Sequence, residues 1–240
     1  MSTWQNPQQD TGDAPKFRLE DQMAYHVKTW LEIRGFQVKQ EFRTPWGICD
    51  LVAVHIDSKY FGNRINAGQL GAVGPIRRVA ILNEIPAETN VHLEEIFRRV
   101  ETIAAPAEVL QDLAKLTIGK FVRETAPHTY RRLLPSRSRA NKILSIELKL
   151  DRVEEVISQA VSNLTFSDES FIALPDSSAV RVMRSSRVEH LKELGVGVLA
   201  VARGGCEILL ASTGNTAERN DAAYLHCIER FWRDLINKTA

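Results

Sequence analysis

The run Ile143-Leu144-Ser145-Ile146-Glu147-Leu148-Lys149-Leu150 constrains this chain more than any other stretch. Side chains on a strand alternate faces. Leu144, Ile146, Leu148 and Leu150 share a side that reads as core, and Ile143, Ser145, Glu147 and Lys149 share the other. An acid and a base therefore sit on an otherwise buried-looking strand, where charges are costly unless paired or bound to a metal. Taken alone the two could be a simple salt bridge, so their surroundings must decide.

A second apolar run spans residues 48–56, nearly all apolar except for Asp50 and His55. Aspartate is depleted in strands and costly in a core. Before it, Met23, Val27, Trp30 and Leu31 give residues 19–34 an apolar helical stripe ended by Gly35, and residues 36–42 read as a short strand. Residues 44–47, Thr-Pro-Trp-Gly, read as a turn. After the Glu147 strand come a helix with Val153, Val156, Ile157, Ala160, Val161 and Leu164 on its stripe, and a strand over 171–174. A helix over 177–194, a hairpin over 196–211 and a helix over 220–237 follow. This order predicts an α/β fold with a central mixed sheet flanked by helices.

Residues 58–142 break the rhythm and read as a mostly helical insertion. Residues 60–75, rich in Gly and Asn, read as a loop or irregular hairpin, and 77–82 as a short strand. Residues 91–104 and 106–116 read as helices, with Pro106 in the first turn, and 118–125 and 127–134 as further short helices. Residues 107–123 offer a weak helix-turn-helix pattern. The expected organisation is a leader over 1–18, a core over 19–57 and 143–240, and the insertion between them.

The net charge of +1 names no partner, and 44% hydrophobic with 25% charged residues is an ordinary globular composition. Three scattered cysteines in apolar stretches read as reduced thiols of a cytoplasmic protein. No run is apolar enough to span a bilayer. The six histidines have no ligand spacing. Arg131, Arg132, Arg137, Arg139 and Lys142 form a basic run without acids, which fits phosphate contacts or a solvated connection. Arg181, Arg184 and Arg187 read as a wet helix face.

Asp50 followed after a long gap by Glu147-Leu148-Lys149 resembles the PD-(D/E)XK signature of restriction-endonuclease-like nucleases. Glu20 stands on the preceding helix, where many members carry a further acid, and Gln159 on the following helix, where several keep a glutamine. Residues 41–50 resemble the approach to the metal aspartate, and 171–175 the following core strand. Cys49 replaces the name-giving proline, and the gap before Glu147 is far longer than a hairpin needs. The resemblance covers about 19–57 and 143–202.

It implies that Asp50, Glu147 and the Leu148 carbonyl hold Mg²⁺ or Mn²⁺, with Glu20 as a further ligand, directly or through water, and Gln159 in support. Lys149 would orient the attacking water in hydrolysis of phosphodiesters, in DNA before RNA. Cutting both strands with one site per chain would favour a homodimer. Two other readings stand beside this one: a nuclease-fold module with a weak or lost site that binds nucleic acid or a protein in a larger assembly, and an interaction protein docking through its insertion.

Overall fold

The computed structural model describes residues 17–45, 47–134, 141–151, 153–214 and 219–239. Helix α1 (Glu20–Ile33) carries Met23, Ala24, Val27 and Leu31 inward. Gly35, at φ +82°, turns the chain into β1 (Gln37–Thr44), a left-handed conformation that favours glycine. Strand β2 (Gly47–His55) pairs antiparallel with β1.

Helices α2 (Ser58–Asn66) and α3 (Ile76–Glu84) follow, then β3 (Val91–His92), α4 (Leu93–Arg99), α5 (Pro106–Ile118), β4 (Val122–Ala126) and β5 (Thr129–Arg132). The core resumes with β6 (Lys142–Leu148), α6 (Val153–Asn163), β7 (Glu169–Pro175), α7 (Asp176–Met183), α8 (Arg187–Glu193), β8 (Val196–Ala202), β9 (Gly205–Leu210) and α9 (Asp221–Thr239).

The main sheet has the order β1-β2-β6-β7-β8-β9. Strand β6 is antiparallel to β2 and parallel to β7, β7 is parallel to β8, and β9 returns antiparallel. The fold is therefore α/β, with a mixed six-stranded sheet flanked by helices. One face packs on α1 through Leu51, Ala53, Leu144, Ile146, Phe171 and Leu199. The other packs on α6, α7 and α8 through Ile172, Leu174, Val196 and Val198. On that same side α9 covers Val52, Val54 and Ile143. Leu144 and Ile146 thus face α1 while Ile143 faces α9, the alternation expected of this strand.

The region 58–134 differs from its expected form in several ways. Residues 58–66 are helical rather than a loop, because the Asp57 side chain accepts from the Tyr60 N–H and caps α2. Residues 77–82 belong to helix α3 rather than a strand, with Val79 and Leu82 inward and Arg77 and Arg78 both bonded to the buried Asp112 of α5. Tertiary contacts override the β-branched composition there. Residues 122–132 form a hairpin, not helices. His128, at φ +57°, makes its turn, while Val122 and Tyr130 enter a local core. A three-stranded sheet, β3-β5-β4, results. Helix α5 therefore leads to a strand, which removes the helix-turn-helix reading. The helix expected over 177–194 is broken after Met183, where the Ser185 hydroxyl donates to the Val182 carbonyl at 2.7 Å.

The inserted region has its own core, from Val73 through Leu134, against which Ala222 and Leu225 of α9 pack. A buried ion pair fixes it to α9. The Arg64 Nη1 donates to Glu229 Oε1 at 2.5 Å, and the Val73 N–H donates to Oε2 at 2.7 Å. The Arg64 guanidinium also lies 3.6 Å from the Trp232 ring centre. Where the insertion leaves and rejoins the sheet, the Asp57 N–H donates to the Asn141 side-chain oxygen at 2.8 Å.

Candidate functional site

The ladder between β2 and β6 runs from His55↔Lys142 to Leu51↔Ile146 and stops there. On the other side, the β1–β2 pairing passes from Gln40↔Leu51 to Phe42↔Cys49, skipping Asp50. The skipped residue on β1 is Glu41, held at φ +47°, a strained conformation for a side chain of its size. Asp50 thus sits where β6 parts from β2 and where the β1 ladder skips a single step. Its Oδ2 accepts the Leu148 N–H at 2.8 Å, a donor the ladder no longer uses. The N–H and C=O of one strand residue point to the same side, so the Leu148 carbonyl also faces β2.

Glu147 lies one step beyond the last β2–β6 pair, opposite Asp50, and is 2% exposed. Asn163, at the end of α6 and 8% exposed, donates its side-chain amide to Glu147 Oε1 at 2.6 Å. The Asn163 amide also donates to the Cys49 sulfur at 3.4 Å, and the thiol donates to the Leu51 carbonyl at 3.3 Å. Burial raises the Glu147 carboxyl to about 7, and the negative charge of Asp50 adds to the shift. Burial raises Asp50 as well, with the Leu148 N–H opposing it. The two carboxyls act on each other's titration, so they lose their protons as a pair, the Glu147 side held to about 7. Burial, then Glu147, push the Cys49 thiol well above its usual range.

Lys149 follows the end of β6, its N–H donating to the Ala173 carbonyl at 3.1 Å. Its ammonium reaches Glu20 Oε1 at the start of α1, at 3.4 Å. Both charges act on Asp50, Glu20 raising it and Lys149 lowering it. Asp50, Glu147, Lys149 and Glu20 therefore meet at one end of the sheet. Gln159 of α6 lines a cavity of about 140 Å³ together with Glu147, Asn163, Thr44, Gly47, Ile48, Ser158 and Ser162.

The basic run does not join this cluster. Lys142 opens β6 at the end opposite Glu147, and pairs with Glu169 at 2.6 Å. At about 3.3 Å per residue the two ends lie roughly 16 Å apart. Arg132 is half-buried, and burial lowers its guanidinium while Tyr60 and Asp221 oppose that shift. Arg131 pairs across the small sheet with Arg123. Arg137 and Arg139 lie outside the described residues. A larger cavity of about 170 Å³, under α1 and lined by Trp30, Phe36, Leu144, Phe171 and Leu199, is also apart from the carboxylates.

Sequence reading missed Asn163 and Glu41. Asn163 carried a signal: it falls at helical spacing after Val156 and Ala160, so a polar residue occupies the buried stripe. Glu41 gave none, since its backbone conformation is set by the interrupted pairing.

The donor set suits a hard divalent cation. Two facing carboxyls whose ionisation burial disfavours, and a carbonyl directed to the same side, are oxygen ligands whose repulsion a cation would relieve. Among the described residues, no group of three or more His, Cys, Asp or Glu side chains is placed to hold a metal. Mg²⁺ commonly takes only one or two carboxylates and keeps its waters. Among the described residues, no helix is long and apolar enough to cross a membrane.

No protein-family model and no curated protein matches this chain. A solved structure of a protein of unknown function from Silicibacter pomeroyi is similar to it, with 12% identity over 94% of this chain and 91% of that one, at a TM-score of 0.43.

Proposed function

We propose that this chain is a divalent-metal-dependent nuclease of the PD-(D/E)XK, restriction-endonuclease-like class, hydrolysing phosphodiester bonds in DNA. One observation carries the reading. Asp50 and Glu147, distant in sequence, face each other where β2 and β6 part, with Lys149 and Glu20 beside them. The strand order, with β6 antiparallel to β2 and joined through α6 to a parallel β7, supports the fold assignment.

Asp50, Glu147 and the Leu148 carbonyl would hold Mg²⁺ or Mn²⁺, with Glu20 reaching the same end of the sheet. Bound there, the ion supplies Lewis acidity and a more acidic water. Asn163 orients the Glu147 carboxylate, and the Leu148 N–H orients Asp50. Lys149, restrained by Glu20, offers an ammonium beside Asp50 that orients a water and offsets charge developing on the phosphoryl group.

The test is cleavage of DNA with Mg²⁺ or Mn²⁺ by the full chain, compared with Asp50→Ala and Lys149→Ala. Cleavage lost in both variants is expected. Tight DNA binding with no cleavage in either metal would replace the enzyme by a silent binding module of the same fold. The Lys149–Glu20 pair favours that second reading insofar as it occupies the ammonium.

A further inference from the structure

The cavity beside Glu147 has a composition unlike a phosphate site. It lies between the β1–β2 turn and α6, holds about 140 Å³, and Glu147 forms part of its wall. That is room for several waters, or for one heteroaromatic ring. Apart from Glu147, its lining residues Thr44, Gly47, Ile48, Ser158, Gln159, Ser162 and Asn163 are all uncharged. With no cation in the lining, a phosphate would meet the Glu147 carboxyl without a positive charge to offset it, so an anion is disfavoured.

The lining suits an uncharged, flat group with hydrogen-bonding edges. Ile48 is 51% exposed and gives an apolar surface at the mouth. Gly47 contributes no side chain, and a Cβ built there meets nothing within 4 Å beyond its chain neighbours. The Ser158 and Ser162 hydroxyls donate to the Glu155 and Ser158 carbonyls, which leaves their oxygens as acceptors. Gln159 is exposed, and its carboxamide has no hydrogen-bond partner among the described residues. It offers a donor and an acceptor side by side, the arrangement that reads a base edge.

We infer that this cavity receives a single nucleobase, turned out of its stack next to the scissile phosphate, and that Gln159 selects which base enters. The inference rests on the proposed nuclease reading, which places the phosphate at Asp50 and Glu147. A base lodged against α6 fixes the register of the strand over those carboxylates.

The experiment uses the full chain. A degenerate DNA library is cut in Mn²⁺ and the bases flanking each cut are counted. The wild type is expected to favour one base at one flanking position, with Gln159→Ala lowering that preference about tenfold. In a second measurement, 2-aminopurine at that position is bound in Ca²⁺ in place of Mn²⁺. Its fluorescence should rise several-fold with the wild type and stay unchanged with Ser162→Phe, which fills the cavity from an exposed helix position. This measurement decides if Gln159→Ala does not cut.

Cleavage by the wild type with no base preference, or a preference and a fluorescence rise unaltered in both variants, overturns the base pocket and leaves the nuclease standing. If the wild type cuts nothing, the nuclease reading fails instead. The cavity is then judged by titrating the four free nucleosides against the Gln159 side-chain amide signals by NMR. Shifts absent in Ser162→Phe retain a nucleoside site, and no shifts in the wild type remove it.

Discussion

Glu147 and Glu229 are almost equally hidden, 2% and 1% exposed, yet their surroundings are opposite. Glu229 receives a guanidinium and a backbone N–H, both of which oppose the rise that burial imposes on its carboxyl. Glu147 receives a neutral amide, and faces a second carboxyl that makes its ionisation harder. The first arrangement joins two parts of a structure. The second crowds two carboxyls together without a guanidinium between them, and on the proposed reading a divalent ion neutralises them.

Breaking the clamp is the most destructive test of this contrast. Arg64→Ala strands Glu229 in the interior and should cost about 3–5 kcal/mol, read from the urea unfolding midpoint. An apolar pair, Arg64→Met with Glu229→Leu, should recover most of that loss. A loss below about 1 kcal/mol in the single variant would mean that other contacts hold the insertion on α9.

A smaller effect follows from the titration of Glu147. Its folded value, about 7, lies above the ordinary 4.5, so the folded state binds its proton more tightly than the unfolded state. The resulting stability is fully present below about pH 4.5 and is lost as pH rises through about 7. The change should approach about 3 kcal/mol, at roughly 1.4 kcal/mol per pKa unit. Glu147→Gln should remove this dependence, and saturating Mg²⁺ should shift it to lower pH. A pH profile identical in Glu147→Gln and wild type would contradict the crowded-carboxyl account.

Removing the donor to Glu147 should come next. Asn163→Ala leaves a buried oxygen without its amide and should cost about 1–3 kcal/mol. It should also move the Glu147 carboxyl still higher, because the lost hydrogen bond lowers it. Carbon-13 detected titration of the glutamate carboxyls reads the shift directly.

Lys149→Ala should have the least effect on stability, under about 1 kcal/mol, since its pair with Glu20 is 28% and 40% exposed. Its expected loss of DNA cleavage would then separate a chemical role from a structural one. Substantial unfolding of this variant would assign Lys149 to the fold instead.

The carboxylates were legible because strands tolerate few acids: Asp50 and Glu147 stood out against uniformly apolar neighbours. The central strands β2, β6, β7 and β8 were legible for the same reason, each being short, largely apolar and bounded by a turn or helix. Region 58–134 was not. Its helix α2 starts at a capping Asp57 inside a Gly- and Asn-rich stretch, and its faces are chosen by distant partners. Arg64 finds Glu229, and Arg77 with Arg78 find Asp112, contacts that local periodicity does not encode. The Asn163 contact lies between these cases, visible as a misplaced polar residue but without its partner named.

The neck at which the Asp57 N–H meets Asn141 has a kinetic meaning. Pairing β2 with β6 requires two strands far apart along the chain to find each other, a slow kind of event. An insertion that collapses first around its own core brings 57 and 141 together and replaces a long floppy tether by a short one. Closure entropy grows as the logarithm of tether length, so this shortening is worth on the order of 2 kcal/mol toward the pairing step. The segment that interrupts the sheet in sequence thereby acts as the scaffold on which the sheet closes.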